Sequence, residues 1–166
     1  DLTVGLGGSL QGTRSTTMLT NGSATLTTGA DLKLDDTSSF IVATGNLDAT
    51  VSGAVLITNT STIAVTDGSA SFDIGGTTLL DTNSTLSLNN QTVVGGSLLL
   101  DSDGTITVSN NSTIDVDNAS LTVVSNTGDL VFDTSVDAVN VTGGATALSS
   151  TVGAINVTDS ALTTSN

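Results

Sequence analysis

Short runs in which polar and apolar residues alternate occur along most of the chain. In the runs at residues 61–66, 84–89 and 112–117, Leu, Ile or Val stands two positions from the next apolar residue, and polar or small residues fill the places between. Side chains on a β-strand point alternately to its two faces, so such a run predicts a strand with one apolar face. The pattern therefore indicates many short strands.

The spacing of these runs indicates a coil rather than a series of hairpins. The first apolar residue of successive runs falls at 55, 63, 72, 79, 86, 93, 98, 106, 114, 121 and 130, with corner residues such as Asp67-Gly68, Asn89-Asn90 and Asp103-Gly104 between many of the runs. Hairpin sandwiches show wider turn spacing and longer strands. Three such sides make a coil of roughly 20–24 residues, a period typical of solenoids.

Matches at a spacing of 22 residues predict which residues stack on one another. Examples are Leu34 with Leu56, Ile57 with Leu79, and Leu99 with Leu121. The predicted fold is an all-β, right-handed parallel β-helix of roughly seven to eight three-sided coils. The main alternative is a jelly-roll β-sandwich with donor-strand exchange between subunits, which requires antiparallel pairs and longer strands.

We expect a single domain that spans residues 1–166. Its regular solenoid is predicted at residues 22–144, where the alternation is strongest. Residues 1–21 alternate weakly and are interpreted as an N-terminal cap or a subunit-contact segment. Residues 145–166 are interpreted as a C-terminal coil or contact segment. Solenoid ends expose strand edges and core, and they need a cap or a partner.

The segments at residues 84–90 and 104–116 resemble a known style of repeat. They are similar to the repetitive β-helical stalks of bacterial surface proteins, namely autotransporter passengers and filamentous-haemagglutinin-like adhesins. The resemblance covers roughly residues 22–142 and lies in the style of the repeat, so it assigns no functional residue. It implies a right-handed parallel β-helix on a cell surface or outside the cell.

Composition agrees with an ordered β protein and excludes several kinds of function. Hydrophobic residues make up 37% of the 166 residues and mean hydropathy is +0.29, which argues against disorder. The chain has no Cys and no His, which excludes disulfides, zinc sites and Cys/His catalysis. Net charge is −14 with only two basic residues, so we expect neither nucleic-acid binding nor a polybasic membrane patch. No apolar run is long enough for membrane insertion.

The residues available for catalysis are few, and we predict that the protein is not an enzyme. Only Asp, Lys33, Arg14 and hydroxyl groups could transfer protons. Asp115 and Asp117 share the outer face of a predicted strand, and the chain has no Trp or Tyr on which a sugar could stack. No catalytic or cofactor-binding residue is therefore assigned.

Asp101-Ser102-Asp103-Gly104 is the candidate metal site. Its acidic residues and turn glycine look like the opening of a calcium loop, so Asp101 and Asp103 are candidate Ca²⁺ ligands. An ordinary Asp-Gly corner explains the same residues. No other cofactor is expected.

Asn-x-Ser/Thr sequons are unusually frequent, which suggests a secreted surface glycoprotein. Corner asparagines followed by strand Ser or Thr would also create them. The candidate N-glycosylation sites are Asn21, Asn59, Asn83, Asn90, Asn110, Asn111, Asn118, Asn140 and Asn156.

These features predict a non-enzymatic extracellular or cell-surface structural protein. We expect a subunit of a self-assembling filament or sheath, built by end-to-end stacking of β-solenoids, whose main partner is the protein itself. One alternative is a rigid stalk segment of a cell-surface adhesin. A second is a carbohydrate- or ice-binding module, and cell-surface glycans or other surface proteins are further candidate partners.

Overall fold

The computed structural model describes residues 2–19, 21–90, 96–133, 137–158 and 160–165, and within these ranges the secondary structure is entirely β. The strands are β1 (Leu2–Leu6), β2 (Leu10–Thr13), β3 (Thr16–Leu19), β4 (Ala24–Thr28), β5 (Leu32–Asp35), β6 (Ser39–Thr44), β7 (Leu47–Val51), β8 (Val55–Ile57), β9 (Thr62–Asp67), β10 (Ala70–Ile74), β11 (Thr78–Leu80), β12 (Thr85–Asn89), β13 (Gly96–Ser102), β14 (Ile106–Ser109), β15 (Thr113–Asp117), β16 (Ala119–Ser125), β17 (Leu130–Asp133), β18 (Asp137–Thr142), β19 (Thr146–Ser150), β20 (Ile155–Thr158) and β21 (Ala161–Ser165).

Successive strands join three different sheets in rotation. Sheet A has the order β1-β4-β7-β10-β13-β16-β19, sheet B has β2-β5-β8-β11-β14-β17-β20, and sheet C has β3-β6-β9-β12-β15-β18-β21. Pairing within each sheet is parallel, as between β1 and β4, β2 and β5, and β3 and β6. Three strands thus form one coil, and seven coils stack into a parallel β-solenoid. This confirms the predicted fold class, and the jelly-roll alternative, which needs antiparallel pairs, is wrong.

Coil length is less uniform than the sequence spacing suggested. In sheet A, Leu2 pairs with Ala24, Ala24 with Leu47, Leu47 with Ala70, and Ala70 with Leu98. The steps are therefore 22, 23, 23 and 28 residues. The long step contains residues 91–95, which lie outside the described ranges, and the sheets keep their order across it.

The residue pairs predicted at a spacing of 22 are wrong by one position. Leu34 pairs with Ile57 rather than with Leu56, and Ile57 pairs with Leu80 rather than with Leu79. Adjacent apolar residues at 56–57 and 79–80 made both registers look equally apolar. Leu99 likewise pairs with Thr122 rather than with Leu121. Because a shift of one residue moves a side chain to the opposite face, Leu56, Leu79 and Leu99 lie on the outer surface rather than in the core.

The interior of the column is apolar and narrow. Burial alternates along the strands, and the buried side chains form one continuous cluster from Ala24 to Val141. The three phenylalanines, Phe40, Phe72 and Phe132, lie in sheets C, A and B respectively, in the second, fourth and sixth coils. One bulky ring therefore enters from a different side at every second coil. Leu, Val, Ile and Ala fill most of the rest, and Thr28, Thr78, Ser102 and Ser125 are buried among them.

The terminal residues continue the same sheets. Strands β1, β2 and β3, within residues 2–19, form the first coil, and β19, β20 and β21 form the last. The solenoid thus extends on both sides of the predicted range of 22–144. The roles expected for residues 1–21 and 145–166, as caps or contact segments, stay predictions.

Candidate functional site: the corners and the terminal faces

A column of buried serines lines the corner between sheets B and C. The backbone N–H of each serine donates to the Oγ of the serine one coil further along, at 3.3 Å from Ser15 to Ser38, 3.1 Å from Ser38 to Ser61, 3.3 Å from Ser61 to Ser84 and 3.0 Å from Ser84 to Ser112. The last four serines are fully buried. The hydroxyls of Ser61, Ser84 and Ser112 therefore satisfy backbone donors that would otherwise be buried without a partner.

The sequence analysis missed this serine column, although the signal was present. Ser15, Ser38, Ser61 and Ser84 recur every 23 residues. A search at a spacing of 22 aligns each of the first three serines with the residue one position before the next serine of the column. The inner apolar residues Leu34, Ile57 and Leu80 share this step of 23, but the apolar residues next to them hide it.

Carboxylates and hydroxyls alternate along the outer face at the end of sheet B. Strand register pairs Thr13 with Asp35, Ser109 with Asp133 and Asp133 with Thr158. Thr58 and Asp81 stand one residue past β8 and β11, where Thr58 Oγ1 donates to Asp35, Ser109 Oγ donates to Asp81, and Asp81 N–H donates to Ile57 O. The order along the column is therefore Thr13, Asp35, Thr58, Asp81, Ser109, Asp133 and Thr158. Each Asp thus has a hydroxyl residue in the coils directly before and after it. Like charges directly opposite one another destabilise a sheet, and this order keeps the acids two coils apart.

The first acid of this column, Asp35, is hydrogen-bonded to the following coil. Asp35 Oδ1 accepts from Thr58 Oγ1 at 2.9 Å and from Asn59 Nδ2 at 2.6 Å. Asn59 and Thr58 hold the pKa of Asp35 below its usual value. The Lys33 Nζ atom lies 3.3 Å from Asp35 Oδ2 on the same strand.

Asp115 lies in a different electrostatic environment on sheet C. Burial raises its pKa, the charge of Asp117 on the same face raises it further, and a 2.9 Å hydrogen bond from Asn140 Nδ2 only partly opposes them. The two acids predicted to share an outer face therefore repel one another. Thr142 Oγ1 donates a hydrogen bond to Asp117 Oδ1.

The two candidate calcium ligands lie at the end of β13. Asn126 of the next coil donates from Nδ2 to Asp101 Oδ1 at 2.9 Å and to Asp103 Oδ1 at 3.3 Å. Asp73 precedes Asp101 in the same outer column of sheet A. In the described parts of the chain, no group of three or more acidic side chains is arranged to hold a metal ion. Calcium binding at Asp101 and Asp103 stays a prediction, and Asn126 gives this corner a structural role.

Most sequon asparagines lie at corners. Asn21, Asn59, Asn83, Asn110, Asn111 and Asn118 have φ between 49° and 63°, a left-handed conformation that Asn tolerates well. The other three are Asn90, Asn140 in β18 and Asn156 in β20.

Asn90 differs from the other sequon asparagines because it is buried. It is 1% exposed, and its Oδ1 accepts from the Gly68 N–H at 2.9 Å. A Cβ added to Gly96 would lie 2.2 Å from Asn90 Nδ2, so the amide fills the space left by the glycine. A glycan at Asn90 would have to displace this packed amide. Glycosylation at all nine positions stays a prediction.

The last coil exposes side chains that occupy core positions. Ile155 and Val157 follow Leu130 and Phe132 in the inner columns of sheet B, and Leu162 follows Val139 in sheet C. Ile155, Val157 and Leu162 are 47%, 44% and 39% exposed, whereas the residues before them are fully buried. The C-terminal end of the column is thus an apolar face.

The first coil has a cavity where the last coil has exposed side chains. A cavity of about 130 Å³ at this end is lined by residues that include Leu2, Val4, Leu10, Gly12 and Phe40. Gly12 pairs with Leu34 in an inner column that otherwise carries larger side chains, so the first coil lacks one core side chain. The N-terminal end is therefore an apolar recess.

Comparison with family models, with curated proteins and with solved structures found no match to this chain. In the described residues there is also no helix with the length and apolar character needed to cross a membrane.

Proposed function

We propose that the protein is a non-enzymatic structural rod, found outside the cell or on its surface, which assembles into filaments or sheaths by end-to-end stacking. The observation that carries this proposal is the pair of apolar terminal faces. Ile155, Val157 and Leu162 are exposed at one end, and a cavity over Gly12 is open at the other. Burial of apolar surface is the dominant favourable contribution to most protein association.

The backbone at both ends supports the same proposal. In the described residues, each of the six terminal strands, β1 to β3 and β19 to β21, has a neighbouring strand on one side only. Such an edge presents N–H and C=O groups to any strand that can add to it. Three edges that surround one apolar face would take another solenoid coil, which would satisfy the backbone and the core together.

The acidic residues support a structural role rather than catalysis. Asp35 and Asp81 accept hydrogen bonds from side chains of the following coil. Asp31 Oδ1 likewise accepts from the Ala54 N–H at 2.9 Å, and Asp129 Oδ1 accepts from the Ala154 N–H at 2.8 Å. These carboxylates hold successive coils together, and the contacts between coils are to backbone, amide and hydroxyl donors.

Negative-stain electron microscopy and sedimentation of the purified chain test the proposal. At about 4.8 Å between stacked strands, one copy is a column roughly 34 Å tall. We expect unbranched filaments, many times this length, that form more readily as protein concentration rises. Particles that stay single at all concentrations would contradict self-assembly and would favour the stalk segment of an adhesin.

A further inference from the structure

We infer that the joint between copies is head-to-tail and in register, with Val157 of one copy seated over Gly12 of the next. In this joint β19, β20 and β21 of one copy continue into β1, β2 and β3 of its neighbour. The partner is a second copy of this chain. The inference rests on the proposed function and adds to it the orientation, the rotation and the register of the contact.

The inner column of sheet B provides the steric argument. It runs through Gly12, Leu34, Ile57, Leu80, Val108, Phe132 and Val157. The column thus begins with its one residue that has no side chain, and it ends with a side chain that is 44% exposed. A Cβ on Gly12 would lie 2.7 Å from Ser15 Oγ and 2.9 Å from Leu34 Cδ2, so these side chains already occupy the place of the missing side chain. Stacked in register, Val157 would lie one strand spacing from Gly12 and would cover the recess that Leu2, Val4 and Leu10 line around it.

Exposure in the second coil supports the same fit. Leu34 and Phe40 retain 6% and 7% exposure, although they lie one coil below the end of the column, whereas Leu80, Leu88 and Val108 in the middle are fully buried. Solvent thus reaches the second coil through the recess of the first. A neighbouring copy that filled the recess would cover both residues.

The direction of the strands selects head-to-tail contact. All three sheets begin with β1, β2 or β3 at one end and finish with β19, β20 or β21 at the other. Only a head-to-tail contact keeps the parallel pairing that holds the coils within one copy. Because such a contact joins two different surfaces and does not close on itself, it produces a filament rather than a closed dimer.

The distribution of acidic residues along the sequence permits close approach of the two ends. The chain has sixteen acidic residues, and all except Asp1 and Asp159 lie between residues 31 and 137. By sequence, two of the sixteen acids, Asp1 and Asp159, belong to the two ends of the chain, and the first coil also carries Arg14, whose Nε lies 2.5 Å from Asp36 Oδ2. With fourteen acids between residues 31 and 137, most of the repulsion that a net charge of −14 creates lies away from the ends.

Disulfide trapping tests the register, because the chain has no cysteine of its own. Gln11 and Asn156 are exposed and belong to one outer column of sheet B, at its first and last coils. In the proposed joint, their Cα atoms would be one strand spacing apart, about 4.8 Å, which lies within the range for a disulfide. The double variant Gln11→Cys/Asn156→Cys is expected to give a ladder of covalent oligomers on a non-reducing gel after mild oxidation.

Two matched pairs distinguish this register from others. Thr13→Cys/Asn156→Cys moves one thiol two residues along β2, which separates the Cα atoms by roughly 8 Å, too far for a disulfide. Thr3→Cys/Asn156→Cys would cross-link only if the neighbour were rotated by one side, so that sheet A met sheet B. We expect no ladder from either control.

The outcomes separate this inference from the proposed function. Filaments that form without the Gln11–Asn156 ladder, or that give a ladder with either control pair, would overturn the register while the filament proposal stands. The absence of both filaments and ladder would overturn both. A ladder confined to the Gln11–Asn156 pair, in filaments seen by microscopy, would support both.

Discussion

The Nδ2 atom of Asn59 lies 2.6 Å from Oδ1 of Asp35, one coil away, and donates a hydrogen bond to it. Two coils further along, Asn110 Nδ2 makes the same contact with Asp81 Oδ1 at 2.5 Å. Asn59 and Asn110 both have the left-handed conformation at their corners. A corner asparagine thus serves two purposes, since it allows the chain to turn and it binds the acid of the preceding coil.

The Asp81 contact predicts a dependence of stability on pH. Burial alone would raise the pKa of Asp81, but hydrogen bonds from Asn110, Ser109 and Thr82 outweigh it, and the pKa lies below the ordinary value of 3.8. Ionised Asp81 therefore stabilises the folded chain above about pH 3.8, and this contribution is lost as pH falls through the lowered value. Asp81→Asn is expected to lower Tm at neutral pH, and the difference from wild type should shrink in acid.

Thermal unfolding followed by circular dichroism across this pH range measures the effect. Asp48→Asn is the matched control, because Asp48 is exposed on the outer face of β7. We expect this control to change Tm little at any pH. An Asp81→Asn protein with wild-type Tm at neutral pH would show that the contact with Asn110 does not stabilise the fold.

Asp115 predicts a pH dependence of stability opposite in sign to that of Asp81. Its pKa is raised, first by burial and then by the charge of Asp117, so the ionised form costs the folded chain free energy. That cost is absent at pH values below the unfolded pKa, and it grows as pH rises through the raised folded value. Asp115→Asn is expected to raise Tm at neutral pH and to leave Tm nearly unchanged below about pH 3.

The same circular dichroism series measures Asp115→Asn. The amide oxygen can still accept the hydrogen bond from Asn140, so the substitution removes mainly the charge. Asp117→Asn, which removes the neighbouring charge, should also raise Tm at neutral pH. A lower Tm for Asp115→Asn at neutral pH would mean that the ionised acid stabilises this face.

The serine column predicts a local weakness if one hydroxyl is removed. Ser61 Oγ accepts from the buried Ser38 N–H, and Ser61→Ala would leave that donor without its partner. A buried group left unsatisfied costs about 1–3 kcal/mol of stability. Urea unfolding measures this change in the free energy of unfolding.

Ser87→Ala is the control for Ser61→Ala, since Ser87 faces outward on β12. Surface substitutions of this kind usually change stability by less than about 0.5 kcal/mol. Equal effects of the two substitutions would contradict the role given to the serine column.

The sequence was sufficient for the fold class but not for the register. Alternation along each run and the short spacing between runs predicted three-sided coils, because both depend on local chain geometry. The pairing of Leu34 with Ile57 could not be obtained in this way, since Leu56 and Ile57 are both apolar. The recess over Gly12 depends on that register, so sequence reasoning predicted exposed ends but not their complementary shapes.

Val157 at the C-terminal face predicts how assembly can be blocked without unfolding a single copy. Its side chain is 44% exposed in the monomer, so Val157→Asp should leave the circular dichroism spectrum and Tm close to wild type. In the joint, the carboxylate would enter an apolar cavity lined by Leu2, Val4 and Leu10, where an unpaired charge is strongly disfavoured. We expect loss of filaments in microscopy and of the sedimenting fraction.

The matched control for Val157→Asp is Val152→Asp. Val152 is 75% exposed at the corner between β19 and β20, so the substitution adds the same charge at the same end but outside the strand columns. Filaments should persist in this variant, because repulsion at an exposed corner is screened by solvent and salt. If both variants assemble as wild type does, the C-terminal face is not the joint. If both lose filaments equally, added charge at this end blocks assembly, and insertion of Val157 over Gly12 is not what holds the copies together.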